Sequence, residues 1–311
     1  MNIAFIFPGQ GAQYVGMGQD FAKAYPEARE VFDKADSLLG YSLSSIIFEG
    51  PEEDINKTKH SQVAIYVNSC ALLSVIKKLF PELKPRVCAG LSLGEYTALY
   101  VSGRISFEEG LLLVQKRAQF MNDACEKYPG KMSAVLGLDE KSVRDAIGTI
   151  EDVWVANCNC PNQIVISGTA SGVEKATISL KDNKAKRVIP LTVHGAFHSG
   201  LMSEAEKQLT PFVDQANITD SDIEFVMNVK GEFISSIPTI KELLKKQVTH
   251  SVLWEKGIRE IEKQGIDLYI EIGPGKTLLG MNKKIKTSGK TISIDKSQDL
   301  NDLKNLLNES G

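Results

Sequence analysis

The alternation of short apolar strands with longer helices in the first third of the chain most constrains its fold. Residues 2–7 (NIAFIF) are typical of a buried strand ending at a Pro-Gly pair, and residues 86–90 (RVCAG) are typical of a second strand. Residues 60–80 carry apolar side chains at helical spacing, and residues 106–128 begin with a Ser-x-x-Glu helix start. Strands separated by helices predict a parallel sheet that is covered on both faces.

The middle of the chain has a different order of elements. Between residues 128 and 194 the pattern predicts strand, helix, two strands, helix and strand, which is the ferredoxin-like split unit. The last of these strands is predicted over residues 186–193. We therefore predict a large α/β domain of residues 1–127 and 195–311, interrupted by a small α+β domain of residues 128–194. Clefts between domains are common ligand sites.

Composition narrows the possible functions of the 311-residue chain. A net charge of −3 lacks the basic excess typical of nucleic-acid binding, and no apolar run approaches the roughly 20 residues that cross a bilayer. The first residues favour a strand over a signal peptide. The five cysteines are scattered, and Cys158 and Cys160 have no second ligand pair at zinc-site spacing. We expect no metal site, no membrane contact and a reducing, cytoplasmic setting.

Ser92 stands between Gly90 and Gly94, after the second predicted strand and before a predicted helix. A Gly-x-Ser-x-Gly pattern is weak evidence by itself, but this context is where a nucleophile elbow forms. The amide groups at the start of the following helix point toward the same place. The alternative is that Ser92 only caps that helix.

A serine hydroxyl needs a base to become a nucleophile, and the chain has four histidines. His60 and His250 lie near helices, which favours surface or structural roles. His194 and His198 lie just after the small domain, where either could reach the cleft, and the residues alone favour neither. The glycine-rich loop of residues 7–13 fits neither a dinucleotide fingerprint nor a Walker loop, so an amide donor to an oxyanion is its better use.

Several motifs occur in one order along nearly the whole chain: FPGQGAQ, GLSLGEYTAL, KRAQFMNDA, NCNCPNQIVISG, GAFHSGLM, VLW and EIGPGKTL. Together they resemble the malonyl-CoA:acyl carrier protein transacylases of bacterial type II fatty acid synthesis. The resemblance implies an α/β-hydrolase-like main domain with a ferredoxin-like insert. It also implies malonyl transfer from coenzyme A to the phosphopantetheine thiol of acyl carrier protein through a malonyl-serine, with malonyl-CoA as substrate and no permanently bound cofactor.

The resemblance also assigns roles to residues. It implies that Ser92 is the nucleophile and His198 its base, oriented by the backbone carbonyl of Gln247. It implies an oxyanion hole made of the backbone amides of Gln10 and Leu93.

Further residues are assigned to the substrate. The resemblance implies that Arg117 binds the malonyl carboxylate, although spacing alone favours a surface arginine paired with an acid. Gln62 and Gln247 are expected to line the site, and Phe197 to favour malonyl over methylmalonyl. The acidic carrier is expected to dock on basic residues, with solvated surface charge as the alternative; these residues are Lys186, Arg187, Lys283 and Lys284.

Two positions depart from the family pattern. Leu91 precedes the serine where the family usually has histidine, and Val63 follows Gln62 where it often has proline. Three other interpretations stay open at this point. They are a serine esterase or thioesterase, a carrier-binding protein whose catalytic site has decayed, and an acyltransferase that serves a polyketide carrier.

Overall fold

The computed structural model describes residues 1–309 and has an α/β architecture with two separate sheets. Within that range the strands are β1 (Ile3–Phe7), β2 (Val87–Gly90), β3 (Lys131–Leu136), β4 (Val153–Cys160), β5 (Gln163–Gly168), β6 (Arg187–Pro190), β7 (Glu224–Met227), β8 (Glu232–Phe233), β9 (Leu268–Ile272) and β10 (Lys290–Ile294).

Helices pack against both sheets. They are α1 (Gln19–Ala24), α2 (Pro26–Leu39), α3 (Leu43–Glu49), α4 (Glu52–Asn56), α5 (Thr58–Leu79), α6 (Gly94–Val101), α7 (Phe107–Lys127), α8 (Glu140–Ile147), α9 (Ala170–Asp182), α10 (Ser203–Gln215), α11 (Ile237–Lys246), α12 (Trp254–Glu262), α13 (Thr277–Ile285) and α14 (Asp299–Glu309), with a 3-10 turn at Gly200–Met202. Among these helices, none is long and apolar enough to cross a bilayer.

The large sheet has the strand order β10-β9-β1-β2-β7-β8 and is parallel except for β8, which pairs antiparallel with β7. Every residue of β1, β2 and β9 is buried, as expected for strands covered by helices on both faces. The predicted parallel sheet is confirmed. Phe7 pairs with Gly90, so the loops that follow β1 and β2 leave the sheet side by side. This edge of the sheet, where the strand order reverses around β1, is where open α/β sheets bind ligands.

The small sheet is antiparallel, with the order β4-β5-β3-β6, and α8 and α9 pack against it. This is the ferredoxin-like arrangement predicted from the sequence. The strand predicted over residues 186–193 is shorter than expected, because β6 ends at Pro190. Proline cannot donate to a ladder, and residues 191–194 continue as an exposed loop.

The two sheets are tied together by backbone contacts. Val252, which precedes α12, donates to the carbonyl of Ala156 at 2.8 Å, and its own carbonyl accepts from the amide of Cys158 at 2.9 Å. The side chain of Lys284 on α13 reaches Gln163 on β5 at 2.8 Å. These hydrogen bonds connect the small sheet to the segment before α12 and to α13. The division of the chain at residues 127/128 and 194/195 stays a prediction.

Candidate active site

Ser92 lies in a sharp turn between β2 and α6. Its backbone has φ 52°, the left-handed conformation that a nucleophile elbow imposes. A side chain on Gly90 would lie 1.9 Å from the carbonyl carbon of Gly94, and one on Gly94 would lie 2.1 Å from the carbonyl oxygen of Phe7. Glycine is required at both positions, since α6 packs directly onto the ends of β1 and β2. The turn presents the hydroxyl of Ser92 to the cleft.

His198 is the histidine that meets this hydroxyl. Its Nε2 lies 2.8 Å from Ser92 Oγ, and its Nδ1 lies 2.7 Å from the backbone carbonyl of Gln247. A carbonyl oxygen only accepts, so Nδ1 carries the hydrogen and Nε2 is left as an acceptor for the serine proton. His198 also has a left-handed backbone, with φ 57°. His194 lies at the rim of the cleft, and its side chain is exposed.

Arg117, from α7, points its guanidinium at the same serine oxygen. Its Nη2 donates to Ser92 Oγ at 3.0 Å and to Gln247 Oε1 at 2.8 Å, and its Nη1 donates to Gln62 Oε1. The ring of Tyr96 lies 5.6 Å away, at cation–π distance. The expectation from spacing, a surface arginine paired with an acid, is wrong: Arg117 is 1% exposed, and within residues 1–309 it forms no ion pair.

Burial and the positive charge of Arg117 determine the protonation state of His198. Burial first, and the positive charge of Arg117 second, lower the pKa of His198 from 6.5 to about 4. The carbonyl of Gln247 opposes the shift, because it stabilises the Nδ1 hydrogen. Burial also lowers the pKa of Arg117 from its ordinary value. The imidazole is therefore neutral at physiological pH, which is the form that can accept a proton.

The backbone amides of Gln10 and Leu93 lie in the two loops that leave β1 and β2 side by side. Neither amide donates to a protein acceptor in the described part of the chain. Leu93 immediately precedes α6, so its amide lies at the positive end of that helix. Both amides are therefore unpaired within the described residues, and their role as an oxyanion hole stays a prediction.

A cavity of about 630 Å³ opens onto these groups and is lined from both sheets. Met132 on β3 and Asn159 on β4 contribute from the small sheet, and Thr277 contributes from α13. Phe197 is 6% exposed and lines the cavity next to His198. Leu91 also lines it and packs on the apolar cluster around β1 and α12.

Gln62 occupies the inner end of the site even though valine follows it in place of the proline common in the family. It is fully buried on α5, accepts from Arg117 and donates to Gln10 Oε1 at 3.4 Å. The four basic residues expected to dock a carrier lie apart from these groups. They are exposed, do not line the cavity and form no ion pair within residues 1–309; these are Lys186, Arg187, Lys283 and Lys284.

Two residues of the site were missed by sequence reasoning. Glu95 on α6 is fully buried, and Asn228, just after β7, accepts from the backbone amide of Ser92 at 2.7 Å. Burial raises the pKa of Glu95 to about 8, although hydrogen bonds from Asn228 and Gln247 and the charge of Arg117 oppose this. The sequence does contain a signal for Glu95. It is an acidic residue at the second position of the helix that follows the serine turn, in an otherwise largely uncharged stretch. Nothing in the local sequence marks Asn228.

No group of metal-binding side chains occurs among the residues that the structure describes. The site instead holds a hydroxyl, an imidazole, a guanidinium and two amides around one cavity. Fold and geometry together define an α/β-hydrolase-like protein with a serine at its nucleophile elbow. The chain belongs to the acyl transferase domain family, whose model matches residues 4–296.

Relatives of known identity cover nearly the whole chain. It is 42% identical over 297 residues to the malonyl CoA-acyl carrier protein transacylase of Bacillus subtilis, covering 94% of this chain and 93% of the relative. The crystal structure of the transacylase of that name from Clostridium perfringens superposes with a TM-score of 0.95 at 37% identity, covering 100% of this chain and 98% of that one. A holo complex of a type II PKS acyl-carrier protein with its malonyl-transacylase gives a TM-score of 0.92 at 33% identity, covering 96% and 98%.

Proposed function

We propose that this protein transfers a malonyl group from coenzyme A to the phosphopantetheine thiol of acyl carrier protein, supplying fatty acid synthesis, through a malonyl ester of Ser92. The observation that carries the proposal is the convergence of two groups on one oxygen. Ser92 Oγ lies 2.8 Å from His198 Nε2 and 3.0 Å from Arg117 Nη2. The first is a base for the hydroxyl, and the second is a cation suited to a carboxylate on the acyl group.

In the first half-reaction, Ser92 Oγ attacks the thioester carbonyl while His198 Nε2 takes its proton. Negative charge then develops on the carbonyl oxygen and is bound by the amides of Gln10 and Leu93. Each donor of this kind is typically worth about 3 kcal/mol of barrier. The carbon–sulfur bond breaks, and the thiolate of coenzyme A takes the proton back from His198. The balance is one ester formed and one thioester broken.

The carboxylate of the acyl group accounts for the buried arginine. A guanidinium offers parallel donors that match the two oxygens of a carboxylate, which lysine cannot reproduce. In the free protein the two Nη atoms of Arg117 donate to Ser92, Gln62 and Gln247, and its buried Nε has no partner among the described residues. A malonyl carboxylate takes the place of the serine oxygen as acceptor for Nη2, which frees the hydroxyl to attack. An acetyl group offers no such acceptor.

The second half-reaction repeats these steps in reverse with another thiol. The phosphopantetheine thiol of the carrier enters the cavity, His198 accepts its proton, and the thiolate attacks the ester of Ser92. The malonyl group leaves as a new thioester, and Ser92 regains its proton. Because one thioester replaces another, the reaction is nearly balanced in free energy and runs in both directions.

The relatives support this choice of donor and acceptor, since those named here are malonyl transacylases and one is seen with a carrier protein. The exposed basic residues Lys186, Arg187, Lys283 and Lys284 are suited to an acidic carrier. The mechanism uses no metal or other cofactor. All five cysteines are free and buried, which fits a reducing compartment, and we place the protein in the cytoplasm.

Intact-protein mass spectrometry after separate mixing with malonyl-CoA, acetyl-CoA and methylmalonyl-CoA tests the proposal. We expect a stoichiometric malonyl adduct on the wild-type chain, none on Ser92→Ala, and transfer of the adduct to added holo carrier protein. Ser106→Ala, at the cap of α7, is the control for loss of a serine elsewhere. Rapid release of free malonate without a thiol acceptor would instead identify a thioesterase. Absence of any adduct would point to a carrier-binding protein without catalysis.

A further inference from the structure

Glu95 connects to every reactive group of the site without contacting the cavity. It lies on the first turn of α6, three residues after Ser92, and its side chain is fully buried. Both of its oxygens accept a hydrogen bond. Oε1 accepts from the backbone amide of Asn228 at 2.6 Å, and Oε2 accepts from the side-chain amide of Gln247 at 2.7 Å.

The first arm of this network leads to the nucleophile. With its backbone held by Glu95, Asn228 directs Oδ1 to the amide of Ser92 at 2.7 Å and donates from Nδ2 to the carbonyl of Gly90 at 2.7 Å. These two hydrogen bonds hold the backbone of the elbow at Gly90 and at Ser92, where Ser92 has its strained left-handed conformation.

The second arm leads to the base and the arginine. Gln247 donates from Nε2 to Glu95 and to the carbonyl of Ser92 at 2.9 Å, and this fixes which end of its amide faces which way. Its Oε1 is consequently left to accept from Arg117, and its backbone carbonyl accepts from His198 Nδ1. The buried carboxyl group of Glu95 and the carbonyl of Ser92 therefore orient the side-chain amide of Gln247 together.

We propose that Glu95 is a positioning residue that holds Ser92, His198 and Arg117 in one reactive geometry through Asn228 and Gln247. The proposal shares with the proposed function the roles of Ser92, His198 and Arg117, but it does not depend on which acyl group is transferred. The position requires an acceptor at both oxygens, because a donor there faces the N–H of Asn228 or the NH₂ of Gln247. These two hydrogen bonds and the charge of Arg117 favour the ionised carboxylate, in opposition to the burial that raises the pKa of Glu95. Reversal of the Gln247 amide would relieve the second clash only by turning its NH₂ toward Arg117.

Labelling of Ser92 by a small fluorophosphonate tests the proposal independently of the substrate. In that reaction Ser92 Oγ forms a bond to phosphorus, fluoride leaves, and His198 takes the serine proton. We expect Glu95→Gln to lower the second-order labelling rate at least tenfold, and Glu95→Asp, which keeps a carboxyl group, to lose less. The effect of Glu95→Gln should shrink in an Asn228→Ala background, since one arm is already absent.

Glu271 supplies the matched control. It is as fully buried as Glu95 and accepts from two backbone amides, those of Leu278 and Leu279, but it contacts none of the reactive groups. We expect Glu271→Gln to lower the melting temperature by about as much as Glu95→Gln does, while its labelling rate stays within twofold of wild type. Wild-type labelling of folded Glu95→Gln would overturn the proposal, as would an equal loss of labelling in Glu271→Gln. Failure of both Glu95 variants to fold would also overturn it, because Glu95 would then serve stability alone.

If wild-type protein labels with the fluorophosphonate but never carries a malonyl adduct, the proposed function fails while the role of Glu95 is still tested. If a malonyl adduct forms at the same rate in Glu95→Gln and wild type, the role of Glu95 fails while the function stands.

Discussion

The floor and the rim of the cavity are built in opposite ways. The floor (Ser92, Arg117, His198 and Gln247) is a hydrogen-bonded cluster in which the last three side chains are at most 4% exposed. The rim (residues 191–194) is an exposed loop, with Leu191 and Val193 each 37% exposed. Chemistry at the floor needs atoms held within a few tenths of an ångström, whereas the rim only has to admit a long thioester arm.

The floor and the rim should therefore respond differently to substitution. A substitution in the floor removes a partner from several buried polar groups at once, and each unpaired group is costly. A substitution at or beyond the rim alters access and electrostatic attraction, which act mainly on encounter.

Of the substitutions considered, Arg117→Ala in the floor should reduce activity most. We expect kcat/KM for malonyl-CoA to fall about 100-fold, because truncating one partner of a buried charged pair costs several kcal/mol. Acylation by acetyl-CoA should fall much less, since it has no carboxylate to lose. The measurement is the rate of adduct formation on Ser92 with each thioester.

Arg104→Ala is the matched control for Arg117→Ala. Arg104 is also buried, at 2% exposed, but it donates to the carbonyls of Ser221 and Ile223 away from the cavity. It should lower stability without changing the ratio of malonyl to acetyl acylation. An equal loss with both thioesters in Arg117→Ala would remove the carboxylate-binding role.

The pH dependence of acylation probes the burial of the floor. Burial and Arg117 lower the pKa of His198 to about 4, and the base works only when neutral. The acylation rate should therefore change less than about twofold between pH 7 and 5, whereas a histidine of ordinary pKa would give a fall of about 25-fold. Stopped-flow adduct formation across this range is the measurement. A rate that halves near pH 6.5 would show that the imidazole is solvated.

Phe197 lies between the two regions, and its ring is expected to restrict the acyl pocket. Phe197→Ser should shift the ratio of kcat/KM for methylmalonyl-CoA to malonyl-CoA by about 10-fold toward methylmalonyl, because a removed ring leaves room for an α-methyl group. Phe197→Leu keeps most of the volume and should keep the wild-type ratio. Equal ratios in wild type and Phe197→Ser would refute this role.

The basic residues beyond the rim should give the smallest effect. Lys186→Glu and Lys284→Glu should raise KM for the carrier about threefold each at low salt, with kcat unchanged, and salt should reduce the difference. Lys304→Glu, on the helix that packs against β10, is the control and should have no effect. If KM for the carrier changed neither with charge reversal nor with ionic strength, the carrier would have to dock elsewhere on the protein.

Much of the fold could be predicted because it follows local rules. The apolar runs at residues 3–7 and 87–90, separated by helical patterns, indicated parallel strands. The order of elements between residues 128 and 194 indicated the ferredoxin-like unit. The edge strands β8 and β10 were not foreseen. A two-residue strand carries no periodic signal, and β10 has only three buried positions.

The candidate site was predictable in part. Motif resemblance named Ser92, His198 and Arg117, and the structure brings the three side chains together around one cavity. Spacing alone could not choose between His194 and His198, because both lie in the same segment after β6. Only tertiary packing decides which ring faces the serine. Glu95 and Asn228 lie 133 residues apart in sequence, so their hydrogen bond leaves no local trace.

The sequence alone predicted a strand–turn–helix elbow around Ser92, because a short apolar strand, two glycines and a helical pattern follow one another there. It also determined the class of fold, because strand and helix periodicities are written locally. The surroundings of the serine depend on tertiary packing, which brings together an imidazole from one loop, a guanidinium from a helix, and a buried carboxyl group that helps to orient the amide between them. The physical reason is that burial and hydrogen-bond direction arise from contacts between distant segments, and these two quantities set both the pKa of His198 and the geometry of the site.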